Sequence, residues 1–148
     1  LPTIIVDKKE YRNNSAFVQV TGTINSANGK QVQFTTLCLI DTGFYDGVFL
    51  PNKFYQLAKS IGVDLTQTHT LLADGSETVT FSCLGAIQKI ENYSFVSGKK
   101  EVMILICAEP STDELFESTS DLIGMGALQY FTVTFDGPNQ VFTISESV

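Results

Sequence analysis

Tryptophan is absent from these 148 residues, histidine occurs once and cysteine three times. Each scarcity removes a class of chemistry. With His69 alone and no Cys-x-x-Cys, neither a zinc site nor a histidine-based triad is expected, and no other cofactor is implied. An odd cysteine count without paired spacing argues against a disulfide framework. Cys38, Cys83 and Cys107 lie in apolar, strand-like runs and read as buried thiols of a reducing compartment, so the expected location is cytoplasmic. Basic residues are also few. Nine Lys and Arg against sixteen Asp and Glu give a formal net charge of -7, and they form no basic face for nucleic acid or for an anionic membrane. No apolar run approaches the roughly 18 residues of a membrane helix. There is no internal repeat, low-complexity segment or linker. The chain opens on Leu1 rather than Met, as a piece of a longer chain would.

What is present suits one domain with a sizeable core: 43% hydrophobic residues, 17% charged, and 11 Phe with 5 Tyr for bulk. Residues 18–23, "VQVTGT", alternate as a half-buried strand does. Asn28-Gly29 is a hairpin signal, and 31–40, "QVQFTTLCLI", resumes the strand and loses its alternation near the end. Residues 50–65 are the best helix candidate. Pro51 suits the first turn, Phe54, Leu57, Ala58 and Ile61 share a face, and Gly62 is the stop. Residues 70–81 read as strand, turn, strand about Asp74-Gly75; 84–90 and 102–107 are further strands, and 111–120 is an acidic surface loop. Residues 121–131 run from an apolar strand end through two glycines into a short helix, and 131–135 with 140–144 make a last strand pair. Residues 1–14 receive no role. The pattern predicts an all-β sandwich or partly closed barrel with one or two short helices.

The chemistry concentrates at 39–47, "LIDTGFYDG". An apolar strand ends on Asp41, and a carboxylate there is costly to desolvate unless something compensates it. Gly43 permits a tight turn and close backbone approach. Far along the chain, Leu122, Ile123 and Gly124 form a second apolar-apolar-glycine ending, and between the two lies the glycine-tipped hairpin of 71–77, "LLADGSE". Taken singly, Asp-Thr-Gly and Asp-Gly are ordinary turn sequences.

With these three motifs in this order, the chain resembles the retropepsin-like aspartic peptidases, closest to the prokaryotic group reading Asp-Thr-Gly-Phe. The resemblance runs over about 18–144. It implies an all-β retropepsin-like closed barrel or sandwich with a flap hairpin, over one domain spanning 1–148. It also implies an endopeptidase that needs two facing aspartates. The chain has one Asp-Thr-Gly, so the active form would be a homodimer acting on a peptide or protein. By position, Asp41 would be catalytic, Thr42 would bond across the dimer axis, and Gly43 would admit close backbone contacts. Ala73, Asp74, Gly75 and Ser76 would form the flap. Phe44 would narrow the cleft, and Leu122, Ile123 and Gly124 would back the catalytic loop and border the cleft. Three departures from retroviral members stand out. Phe44 replaces a small residue. Met125 and Tyr45 stand where an arginine and its partner aspartate would brace the dimer. One glycine, Gly75, marks the flap tip.

The rival reading is a retropepsin-like dimerisation or peptide-binding module with little turnover. A third is an unrelated β-sandwich with a chance motif, which would leave Asp41 exposed on a monomer.

Overall fold

The structure is a computed structural model that describes residues 3–6, 11–12, 15–71, 75–108, 121–139 and 141–146. The chain begins with β1 (Thr3–Val6), β2 (Tyr11–Arg12), β3 (Ser15–Asn25) and β4 (Gln31–Ile40). Then come β5 (Val48–Leu50), α1 (Lys53–Ser60), β6 (Thr66–Leu71) and β7 (Glu77–Ile90). It ends with β8 (Tyr93–Ser94), β9 (Lys100–Cys107), β10 (Leu122–Ile123), a one-turn helix α2 (Met125–Leu128), β11 (Phe131–Asp136) and β12 (Val141–Glu146).

The expected all-β closed barrel or sandwich is corrected by this arrangement. Among the described residues the fold is mixed, with two short helices and both parallel and antiparallel strand pairs. The larger sheet has the order β2-β3-β4-β10-β5-β9-β7-β6, and a separate sheet has the order β1-β12-β11. The larger sheet has nine strands: β2 and β6 stand at the ends of that order, β8 pairs with β7 off it, and β3-β4-β10-β5-β9-β7 make a six-strand centre. β7 is long enough to serve several neighbours. It pairs with β6 through 77–82, with β9 through 80–87, and with β3 through 85–90, where a register shift falls at Thr21/Gly22. The physical reason for the mixed character is connectivity. The pairs β4–β10 and β5–β9 are parallel, and parallel neighbours require crossover chain rather than tight hairpins.

Local patterns explain most elements. β4 alternates at Val32 and Phe34 and then becomes half-buried on both sides, as its sequence suggests. α1 is shorter than the predicted 50–65. Pro51 and Asn52 precede it, and the Asn52 side-chain amide donates to the Cys107 and Ala108 carbonyls at 3.1 and 2.8 Å, tying the helix start to the end of β9. Phe54 and Ala58 face the core, but Leu57 is half exposed. The helix covers β7 through a stacked Tyr55–Phe81 pair, 4.6 Å between centroids. Of the strands expected at 70–81 and 84–90, the first falls at the end of β6, and the second joins the next in one long β7. The loop at 111–120 and the turn residues Ala73 and Asp74 lie outside the described residues. One apolar core joins both sheets, from Val18 and Phe34 through Ile104 and Ile123 to Phe142 and Ile144. Burial of this kind contributes about 25 cal/mol for each Å² of apolar surface removed from water.

No helix among the described residues is long and apolar enough to cross a membrane.

Candidate functional site

Asp41 follows the last residue of β4, where two strands from distant parts of the chain meet. β10 lies parallel to β4, with Leu122 opposite Leu39 and Ile123 opposite Ile40, and antiparallel to β5 on its other side. The Leu39 amide donates to the Asp121 carbonyl (2.9 Å) and the Asp41 amide to the Ile123 carbonyl (3.0 Å). The Asp41 main chain is thus locked by a segment some 80 residues away. Its carboxylate remains half exposed and accepts a 2.9 Å bond from the Gly43 amide. Among the described residues no second carboxylate is hydrogen-bonded to it.

The 41–47 loop is gripped along its length. The Phe44 amide donates back to the Asp41 carbonyl (3.2 Å). The Met125 and Gly126 amides donate to the Phe44 and Asp46 carbonyls at 2.8 and 3.2 Å, and the Gly124 amide donates to the Gly47 carbonyl at 2.9 Å. These bonds require close approach. A methyl group at Gly124 would stand 2.4 Å from the Phe44 carbonyl oxygen and 2.5 Å from that of Asp46, both backbone atoms. Glycine at 124 is therefore a packing requirement. Gly126 is similarly tight, with Asp46 and Gly47 backbone atoms at 2.8 and 2.9 Å from such a methyl.

The structure sorts the site residues expected from sequence. Asp41, Thr42 and Gly43 sit together on the outer side of the loop, with Thr42 and Gly43 exposed. Leu122, Ile123 and Gly124 back the loop. Ile123 is fully buried and acts through its carbonyl, so these three support the site rather than border an open cleft. Phe44 turns inward. Its ring packs edge-on against Phe49 (6.1 Å) beside Leu105 and anchors the loop instead of narrowing a cleft. Gly75 has φ +86 and, like Ser76, is exposed, at the tip of the β6–β7 hairpin whose last pair is Leu71–Glu77. The remaining flap positions, Ala73 and Asp74, are outside the described residues.

Sequence reading missed three contributors. Asp121 supplies the carbonyl for Leu39, and its carboxylate takes a bond from the Thr36 hydroxyl. Gly126 and Gly47 make the loop crossing possible. The Gly-Met-Gly spacing at 124–126 was the available signal for the first of these glycines. Asp46 is half-buried, and burial raises its carboxyl above the usual range. Cys38 and Cys83 are not nucleophile candidates. Burial raises the Cys38 thiol first, reinforced by Asp121, and burial pushes Cys83 up to about 11. Among the described residues no group of three or more metal-ligating side chains occurs.

Beside Thr42 lies an apolar cleft of about 230 Å³, lined by Ile40, Thr42, Met125 and Leu128 and by Phe131, Val133 and Phe135 of β11. Met125 and Phe135 are half exposed, and Tyr45, on the same loop as Thr42, is 90% exposed. Neither family models nor curated proteins provide a match to this chain.

Proposed function

We propose that the chain is an aspartic endopeptidase of the retropepsin-like family, active as a homodimer in which each copy contributes Asp41. The observation that carries the reading is a half-exposed carboxylate on a backbone-locked Asp-Thr-Gly loop, gripped by the Leu-Ile-Gly segment. Fixed main chain with a half-exposed carboxylate is what a preorganised acid–base group requires.

In the dimer, two carboxylates a few ångström apart resist double ionisation and share one proton. The ionised Asp41 takes a proton from a water as that water attacks the peptide carbonyl. The protonated Asp41 of the other copy donates a hydrogen bond to the carbonyl oxygen, where negative charge develops. Collapse of the tetrahedral species returns a proton to the leaving nitrogen. Thr42, exposed next to the apolar cleft, is the side chain that meets its counterpart in this arrangement. A cytoplasmic location belongs to the same reading, supported by the buried thiols Cys38 and Cys83.

A peptide-binding or dimerisation module is the second reading. The exposed Tyr45 and Met125, standing where related enzymes carry an ionic brace, favour it. Hydrolysis of an unfolded protein at mildly acid pH separates the two. The peptidase reading expects cleavage that Asp41→Asn and a pepstatin-type inhibitor both abolish. The module reading expects binding with no cleavage in either form.

A further inference from the structure

We propose that Glu146 is an acid-set latch: its ionised carboxylate docks the joined ends of β11 and β12 onto the 93–100 segment, and protonation undocks those ends while the larger sheet stays folded. The side chain belongs to the inward row of β12, after Phe142 and Ile144, and is 1% exposed. Among the described residues, the side-chain hydrogen bonds of Glu146 come from the 93–100 segment, across the joint between the two sheets. Oε2 accepts from the Val96 amide (3.0 Å) and the Tyr93 hydroxyl (3.3 Å). Oε1 accepts from the Ser97 hydroxyl (3.1 Å) and amide (3.4 Å), with Lys100 Nζ at 3.6 Å. Lys100 Nζ also donates to the Ser97 hydroxyl.

The cage is built for a charged acceptor. Two backbone amides and an ammonium only donate, so protonating one carboxylate oxygen removes an acceptor they use and leaves the new O–H only the Tyr93 and Ser97 hydroxyls to bond to. Among the described residues, the titratable and charged groups around it are Tyr93 from β8 and Lys100 from β9. Beyond them lies Tyr130, whose ring centroid is 5.7 Å from Lys100 Nζ. From β11 the register partner is the apolar Phe131, which packs on Phe95 at 5.2 Å. Burial opposes ionisation of Glu146, but the bonds from Val96 and Ser97 and the charge of Lys100 outweigh it and hold the carboxyl below its usual range. Burial and then Glu146 raise Tyr93, which keeps it a donor. A depressed carboxyl contributes stability above its unfolded value and loses it as pH falls through the lower folded value. The latch therefore holds through mildly acid pH and opens below the ordinary glutamate range.

Its consequence reaches the candidate site without depending on the peptidase reading. Phe131, the β11 residue paired with Glu146, lines the apolar cleft beside Thr42. Opening the latch moves one wall of that cleft.

Amide hydrogen exchange of the full chain, corrected for intrinsic rates, tests this from about pH 7 to about pH 3. The expected result is a loss of protection of about tenfold or more at 131–132 and 145–146 below the usual glutamate range, with β4, β7 and β9 unchanged. Glu146→Gln should show the low protection at neutral pH and no further pH dependence, and Lys100→Met should move the wild-type midpoint upward. Retention of the pH dependence in Glu146→Gln overturns the latch. So does simultaneous loss of protection in every strand of the wild type. Should Glu146→Gln fail to fold, the wild-type profile and the Lys100→Met midpoint decide, and an unmoved midpoint counts against the proposal.

Discussion

Asp41 follows β4 with its carboxylate half in solvent, and Glu146 ends β12 with its carboxylate closed off. The two are held in opposite ways. At Asp41 the distant segment grips the main chain, through the Ile123 carbonyl, and leaves the side chain with one local amide. At Glu146 the distant segment grips the side chain itself, with four donors and a lysine. The first arrangement positions a carboxylate while leaving its side chain half exposed. The second spends the carboxylate's acceptor capacity on joining two sheets. The proposed catalytic acid and the structural one thus differ in what is held, backbone or side chain, more than in residue type.

The largest effect that can break this comparison is on turnover. Asp41→Asn should lower peptide hydrolysis by about 10²–10⁴-fold or more with an unchanged melting profile, read by a cleavage assay beside thermal denaturation. A comparable loss of stability would assign Asp41 the structural role and erase the contrast. Next comes the grip on its loop. Gly124→Ala forces a methyl against two carbonyl oxygens at 2.4 and 2.5 Å, and should cost about 2–3 kcal/mol in chemical denaturation along with activity. Glu146→Gln should cost roughly 1–2 kcal/mol at neutral pH, read by chemical denaturation. Because the folded carboxyl is depressed, the gap between wild type and Glu146→Gln should persist through mildly acid pH and close below the ordinary glutamate range, measured by denaturation at several pH values. The smallest effect is at the 90% exposed Tyr45. Tyr45→Ala should change monomer stability by less than about 0.5 kcal/mol, while sedimentation should show weaker self-association if this loop meets a second copy.

Much of the secondary structure was legible, because alternation and turn residues act locally. β4 has the boundaries its apolar pattern predicts, and the Asn28-Gly29 and Asp136–Asn139 turns fall where their residue types put them. Helix α1 was overestimated at both ends. Pro51 and Asn52 lead into it instead of forming its first turn, and Leu57 matches the apolar period yet has no neighbour to cover it. β5 was missed because three apolar residues carry no period. Glu146 was overlooked although the row Phe142, Ile144, Glu146 points it inward. A terminal glutamate reads as solvated unless the donors waiting for it are known.

Local sequence order by itself determined the bounds of β4, the Asn28-Gly29 turn, that Asp41 follows an apolar strand, and that a core of this size was available. Tertiary structure decided that β4 and β10 run parallel, that Phe44 faces inward, and that the strands divide between a mixed nine-stranded sheet and a separate three-stranded one instead of one all-β barrel or sandwich. The reason is range. Strand and turn preferences depend on residues a few positions apart, whereas these outcomes depend on contacts such as Asp41 to Ile123 and Glu146 to Val96. Such contacts span tens of residues and have no local pattern to announce them.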